Sequence, residues 1–307
     1  MSAPHGFDDD DATFLLLRTD PPAASLLWVE ESTNANVTSV EAVLGGTSSA
    51  IHRITVISKT NVHKSFVLRR YVRSDPDELP ADLAARETQS LRAIQGLDLP
   101  TPEVVAADES GERTDVPAVL MSDLAGRIEW APADVEPWLR GLAEALPHIH
   151  SASADVHAGM PDYGVYAQDS YDPPPWASDP SLWERAVEIA TRRSSSQSVV
   201  LVHRDYHPGN VLWSDQQLTG VVDWQDASTG PPSVDVSHCR INLIRSHGVA
   251  AADEFARLWA QISGMTFDPW ADVATVVDFL DQLRESKPSS YPGVEGVLAR
   301  AVAELSG

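Results

Sequence analysis

The chain has 307 residues, and its 45 acidic against 22 basic side chains give a formal charge of −23. That length suits about two domains at ~100–200 residues each, and the charge argues against nucleic acid as a partner, because phosphate-backbone binding needs clustered cations. The single cysteine, Cys239, excludes an internal disulfide and any multi-cysteine metal site. No apolar run approaches the roughly 20 residues needed to cross a bilayer, and the opening MSAPHGFDDDDA lacks a basic region ahead of an apolar one. The expectation is a cytoplasmic protein with no membrane partner, either monomer or homodimer.

In chain order, residues 1–12 read as a disordered acidic tail, and 13–36 as one helix and a turn. VTSVEAVL, IHRITVIS and SFVLRRYV then read as three strands, with the Gly-rich turn GGTSSA between the first two. Residues 80–95 switch to helical period, from Pro80 to a stop at Gly96. Leu83, Glu87, Leu91 and Ile94 fall within about 80° of one another at about 100° per residue. A carboxylate therefore sits on the apolar stripe. Either Glu87 is buried and needs a cation, or it reaches solvent from the stripe's edge. EVVAAD and PAVLMSD form two more strands, a hairpin followed by a connector.

Trp138, Leu139, Leu142, Ala145, Leu146 and Ile149 make the next helical stripe, with Pro147 a kink or boundary. Residues 151–180 are loop-like, with Tyr163, Tyr166, Tyr171, Trp176 and a run of three prolines. The helix SLWERAVEIATRR follows, and three late helical segments lie near 249–263, 268–285 and 291–305. A β-rich first third ahead of a helical remainder predicts an α+β chain of two lobes, divided near 122–130.

Residues 199–226, VVLVHRDYHPGNVLWSDQQLTGVVDWQD, carry the chemistry. Three short strands (199–202, 210–213 and 218–223) place Asp205, Asn210 and Asp223 at strand ends. His-Arg-Asp with Asn five residues beyond the Asp is the catalytic-loop spacing of phosphoryl transfer. In that pattern Asp205 accepts the proton of a substrate hydroxyl. Asn210 and Asp223 offer oxygen ligands suited to Mg²⁺, which completes its shell with water and phosphate.

HRDYHPGNVLW, GVVDWQD and GPPSVDV together resemble the aminoglycoside phosphotransferase family, which includes choline-kinase-like enzymes and antibiotic kinases. Upstream, GGTSSAIHRI resembles the family's nucleotide loop, SFVLRRYV its third strand, ARETQSLRAI its helix C and AVLMSDLAG its hinge. The resemblance runs in order over about 37–245. It implies a bilobal protein-kinase-like fold, with a small β-rich nucleotide-binding N-lobe over 13–124 and a larger, mainly helical C-lobe over 125–307. It also implies ATP as cofactor, with GTP an option, and Mg²⁺. By position, Asp205 matches the catalytic base, and Asn210 and Asp223 the metal ligands. Arg69 matches the strand cation that contacts the phosphates, and Glu87 its helix partner. Gly45, Gly46, Ser48 and Ser49 match the phosphate-covering loop, and Met121, Ser122 and Asp123 the hinge that receives adenine. Asp235 matches a later Asp that braces the catalytic loop.

Two departures stand out. The family's strand cation is usually Lys, whereas Arg69 or Arg70 must serve here. The two point to opposite sheet faces, and Arg69 is preferred because it shares a face with Val67. Arg204 replaces the small residue common before the family's Asp. The expected activity is transfer of the ATP γ-phosphate to a hydroxyl of a small molecule. An aminoglycoside or other antibiotic is one option, and antibiotic resistance one role; a cationic acceptor would suit the chain's acidity. A nucleotide-binding pseudokinase or regulatory module is the alternative. A hydrolase metal cluster of His203, Asp205, His207 and Asp223 is another, though it leaves the Gly-rich loop unexplained. The aromatics over 163–183 either wall a substrate or pack the loop onto the helices. Asp162, Asp169, Asp172 and Asp179 either meet a cation or are solvated.

Overall fold

The computed structural model describes residues 11–43, 49–73, 79–157, 159–166, 170–192 and 199–306. Gly45, Gly46 and Ser48 of the expected phosphate loop lie outside these residues, as do Asp169 and residues 1–10 of the acidic tail. The chain divides into two compact units. One comprises 1–96, 100–126 and 219–226; the other comprises 97–99, 127–218 and 227–307. Asp223 thus belongs to the first unit, and Asp205 and Asn210 belong to the second.

The first unit opens with two helices where one was expected, α1 (Asp11–Arg18) and α2 (Ala23–Thr33). Pro21 and Pro22 separate them. Proline disfavours helix at the residue before it, and Pro22, in extended conformation, caps α2. A five-stranded antiparallel sheet follows, built from β1 (Ala35–Ala42), β2 (Ala50–Ser58), β3 (His63–Arg70), β4 (Val104–Asp108) and β5 (Ala118–Ser122). Its strand order is β1-β2-β3-β5-β4. The period of two along β2 and β3 puts Ile54, Val56, Phe66 and Leu68 on one buried face, against Trp28 and Val29 of α2. Arg70 shares that face and is paired with Asp115. Arg69 points the other way, toward α3 (Pro80–Ala93).

The second unit is mainly helical. Short strand β6 (Arg127–Ile128) leads to α4 (Val135–His150), α5 (Ala154–His157) and α6 (Pro180–Ala190). Pro147 falls in the last turn of α4, which ends three residues later. The catalytic-loop segment runs from β7 (Val200–Val202) through a 3₁₀ turn at Pro208–Asn210 into β8 (Val211–Ser214). β6 pairs with β8, Arg127 opposite Trp213. β9 (Gln217–Val221) carries the chain back into the first unit, and β10 (Ser228–Gly230) pairs with β7.

The remaining helices are α7 (Ser233–His247), α8 (Val249–Ser263), α9 (Pro269–Asp278), α10 (Leu280–Glu285) and α11 (Val294–Ser306). The segment expected as one helix over 268–285 is two, parted at Phe279. α7 was not expected. It is buried on nearly every side, so its sequence shows no polar stripe to mark a helical period. Cys239 is a buried free thiol within it, raised well above its ordinary pKa by burial. No described helix is long and apolar enough to cross a membrane.

Candidate active site

In the first unit the site is organised by Arg69. Its Nε donates to Ser49 Oγ at 2.7 Å. Nη1 donates to Glu87 Oε2 at 2.9 Å and to Asp223 Oδ1 at 2.6 Å. Nη2 donates to Asp223 Oδ2 at 3.4 Å and to Gln225 Oε1 at 3.1 Å. The five N–H groups of a guanidinium are thereby matched to five acceptor atoms, which an ammonium could not do. Burial alone would lower the Arg69 pKa, but Asp223 and Glu87 outweigh it and hold the cation charged, well above its ordinary value. Glu87 is buried, so it does not reach solvent. Burial pushes its carboxyl up, against the pull of Arg69. The Tyr71 hydroxyl donates to the same Glu87 oxygen.

Asp223 takes a positive φ of 66°, rare for a residue with a side chain. Backbone held in such a region marks a site whose surroundings over-determine it. Arg204, at φ 70°, is a second instance beside Asp205.

The expected hinge is partly engaged within the sheet. Met121 and Ser122 belong to β5, and the Ser122 N–H already donates to Glu103 O at 2.9 Å. Asp123 lies just beyond β5, its carboxylate gripped by Arg53 at 2.8 and 3.3 Å.

In the second unit Asp235 organises the loop. Its carboxylate accepts the backbone N–H groups of His203 (3.0 Å) and Arg204 (2.7 Å), and its Oδ2 lies 3.0 Å from His150 Nε2. Asp205 follows, with both carboxylate oxygens oriented. Asn210 Nδ2 donates to Asp205 Oδ2 at 2.8 Å and to its backbone carbonyl at 2.9 Å. His238 Nε2, from α7, lies 2.9 Å from Oδ1, and His207 Nε2 lies 3.7 Å from it. Burial opposes the charged form, but His207 and His238 prevail and hold the Asp205 carboxyl well below the usual range.

The His207 ring is set by its own turn. Its Nδ1 lies 3.0 Å from the Gly209 N–H, which donates to it, and Nε2 is the ring nitrogen nearer Asp205. A Cβ on Gly209 would lie 2.5 Å from the His207 ring, so only glycine permits this approach.

His238 was missed by the sequence reading because it belongs to no motif spacing. The signal was available in Asp235, since residues three apart share a helix face, and α7 directs both at the loop. Tyr71 and Gln225 were likewise not singled out. Of the loop aromatics, Trp176 and Trp183 pack edge to face in the helical core. Tyr163 donates to Asp278 at 3.0 Å. Among the described residues, no group of three or more His, Cys, Asp or Glu side chains is arranged to hold a metal, so the hydrolase cluster is not formed by them.

A profile of the phosphotransferase enzyme family matches residues 45–273. The chain belongs to this family. Solved phosphotransferases share its fold, which is the protein-kinase-like one. A thermostable mutant of the aminoglycoside phosphotransferase APH(4)-Ia, solved with AMP-PNP and hygromycin B, is 16% identical at TM-score 0.62, covering 93% of this chain and 100% of that one. The macrolide 2'-phosphotransferase MphH of Brachybacterium faecium is 18% identical at TM-score 0.59, covering 91% and 97%. Among curated relatives, an N-acetylmuramate/N-acetylglucosamine kinase of Pseudomonas aeruginosa is 42% identical over 55 residues, 18% of this chain. That match spans only 16% of the relative's own length.

Proposed function

We propose that this member of the phosphotransferase family transfers the γ-phosphoryl group of ATP to a hydroxyl of a small molecule, with Mg²⁺ as the metal. The observation that carries it is Asp205, an ionised carboxylate whose two oxygens are aimed by Asn210 and His238. The acceptor hydroxyl oxygen forms a bond to Pγ, the bond from Pγ to the bridging oxygen breaks, ADP leaves, and the hydroxyl proton passes to Asp205. Family relatives solved with AMP-PNP or ADP support a nucleotide donor.

The residues present fit Mg²⁺. The Asn210 amide nitrogen is spent on Asp205, so the amide oxygen is the atom that would serve as a ligand. Asp223 supplies carboxylate oxygen, and an all-oxygen donor set is what a hard cation takes. When bound, the ion neutralises charge on the phosphates. Arg69 would then hold Asp223 in place, with Glu87 fixing the guanidinium from behind.

A thermal-shift titration with ATP, GTP and AMP, each with and without Mg²⁺, tests this without knowing the acceptor. A ligand that binds the native state raises the melting temperature by mass action. A Mg²⁺-dependent shift with a triphosphate is expected, and Asp223→Ala should abolish its metal dependence. Asp205→Asn should keep the shift while ADP release falls by about 10²–10⁴-fold, the usual worth of a positioned base. A folded protein that shifts with no nucleotide would favour the pseudoenzyme.

A further inference from the structure

Arg69 stands where the strand cation of a kinase binds the α- and β-phosphates while pairing with a helix carboxylate. A lysine ammonium has three N–H groups, so one given to the helix carboxylate leaves others for phosphate. A guanidinium has five, and here all five are engaged inside the first unit. The longest of these bonds, at 3.4 Å, ends on the same carboxylate as the shortest, at 2.6 Å. One face of the guanidinium lies over the Tyr71 ring, 5.3 Å from its centroid. Ser49, expected in the phosphate-covering loop, is buried and accepts from Arg69 Nε instead.

Exposure separates the members of this cluster. The side chains of Arg69 and Glu87 are 4% and 1% exposed, and that of Asp223 is 25% exposed. The carboxylate, not the guanidinium, is therefore what an incoming ion meets. Asp223 also holds its positive φ only with support from its surroundings. Trp224 beside it is fully buried, and its indole N–H donates to Val221 O at 2.9 Å. Gln225, next in the chain, accepts from Arg69 Nη2 at 3.1 Å. Turning the guanidinium out to a phosphate would break these bonds and leave Glu87 buried without its cation, and removing one partner of a buried pair is strongly destabilising.

We infer that Arg69 is not a phosphate ligand in this chain but a positioning residue, acting on the nucleotide only through the carboxylate of Asp223. Resting on the phosphotransferase reading, this makes phosphate recognition at Asp223 depend on the metal. Arg69 in place of Lys and Gln225 then belong together. Gln225 supplies an acceptor for an N–H group that an ammonium does not have.

Calorimetric titration of the full chain with AMP-PNP, in EDTA and across a Mg²⁺ series, tests this by binding alone. Arg69→Lys keeps the charge and removes the fork. In EDTA its affinity for AMP-PNP is expected to stay at or above that of the wild type. Its Mg²⁺ midpoint should rise about tenfold, the lower end of what a group orienting a metal ligand is worth. General damage to the site would lower both affinities, so the split between them is what is read. Gln225→Leu removes one acceptor and no charge, and should move the Mg²⁺ midpoint the same way by a smaller factor. It carries the test if Arg69→Lys does not fold. A direct phosphate ligand would show itself in EDTA. AMP-PNP affinity that falls there in the folded variant overturns the inference, as does a Mg²⁺ midpoint that stays or drops. Either result leaves the phosphotransferase reading standing. A wild type that binds no AMP-PNP at any Mg²⁺ concentration would remove that reading first, and this inference with it.

Discussion

Glu87 sits almost wholly out of water, with one carboxylate oxygen serving both Arg69 and the Tyr71 hydroxyl. A buried charge pair adds little over a packed apolar pair, yet removing one partner strands the other. Glu87→Ala should therefore destabilise the chain by about 3–5 kcal/mol, read from urea unfolding. Glu87→Leu with Arg69→Met should cost less than the sum of the two single changes. Additive costs would mean that Asp223 and Gln225 alone satisfy Arg69. The need for a cation was legible in the sequence, since Glu87 lies on the apolar stripe of α3. The choice of Arg69 over Arg70 followed from strand alternation. That one guanidinium also reaches Asp223, more than 150 positions later, was not legible, because sequence spacing carries no information on which distant carboxylate the fold brings to it.

At the scale of elements, β2 carries a buried histidine with neither ring nitrogen hydrogen-bonded, His52. Burial lowers its pKa and nearby Arg70 lowers it further, against a smaller upward pull from Asp20. The unfolded chain takes up a proton near the ordinary value of about 6.5, whereas the folded chain resists it. The unfolded state then binds more protons, so stability rises with pH through this range and is lost as pH falls below about 6.5, by at most about 1.4 kcal/mol per unit for one proton. Urea midpoints above and below that value should diverge in the wild type and converge in His52→Leu; an equal dependence in both would assign the effect elsewhere. The turn Pro208–Asn210 makes a second prediction. Gly209→Ala should drive the His207 ring from its place between Trp130 and His238 and lower turnover, while the Mg·ATP shift stays. Unchanged kcat/KM would show that the ring tolerates the extra carbon. Amphipathic elements such as α4 were legible, because one buried face imposes a period. Elements without such contrast were not: α2 is apolar nearly throughout its first two turns, and α7 is buried on nearly all sides.

For the whole molecule, the order of motifs from the Gly-rich loop to Asp235 carried the family, since seven fragments in one sequence order are far more specific than any one of them. It did not carry the ring contacts beside the catalytic loop, such as Trp130 with His207, which no spacing encodes. The charge of −23 acts at this scale too. Carboxylates far outnumber cations, so the compact chain bears self-repulsion that the expanded chain relieves. Exposed charges are screened beyond about 10 Å at 0.1 M salt. The buried Arg69–Glu87–Asp223 cluster is screened much less and keeps its attraction. Added sodium chloride should therefore weaken the repulsion more than it weakens the ion pairs, and the melting temperature should rise between low and moderate ionic strength. The rise should be smaller in a variant with several exposed acids outside any ion pair changed to their amides, such as Glu103, Glu109 and Glu112. Melting curves across a salt series for both chains decide it. A melting temperature that falls with salt in the wild type would mean that surface ion pairs such as Arg257–Glu254 outweigh the net repulsion.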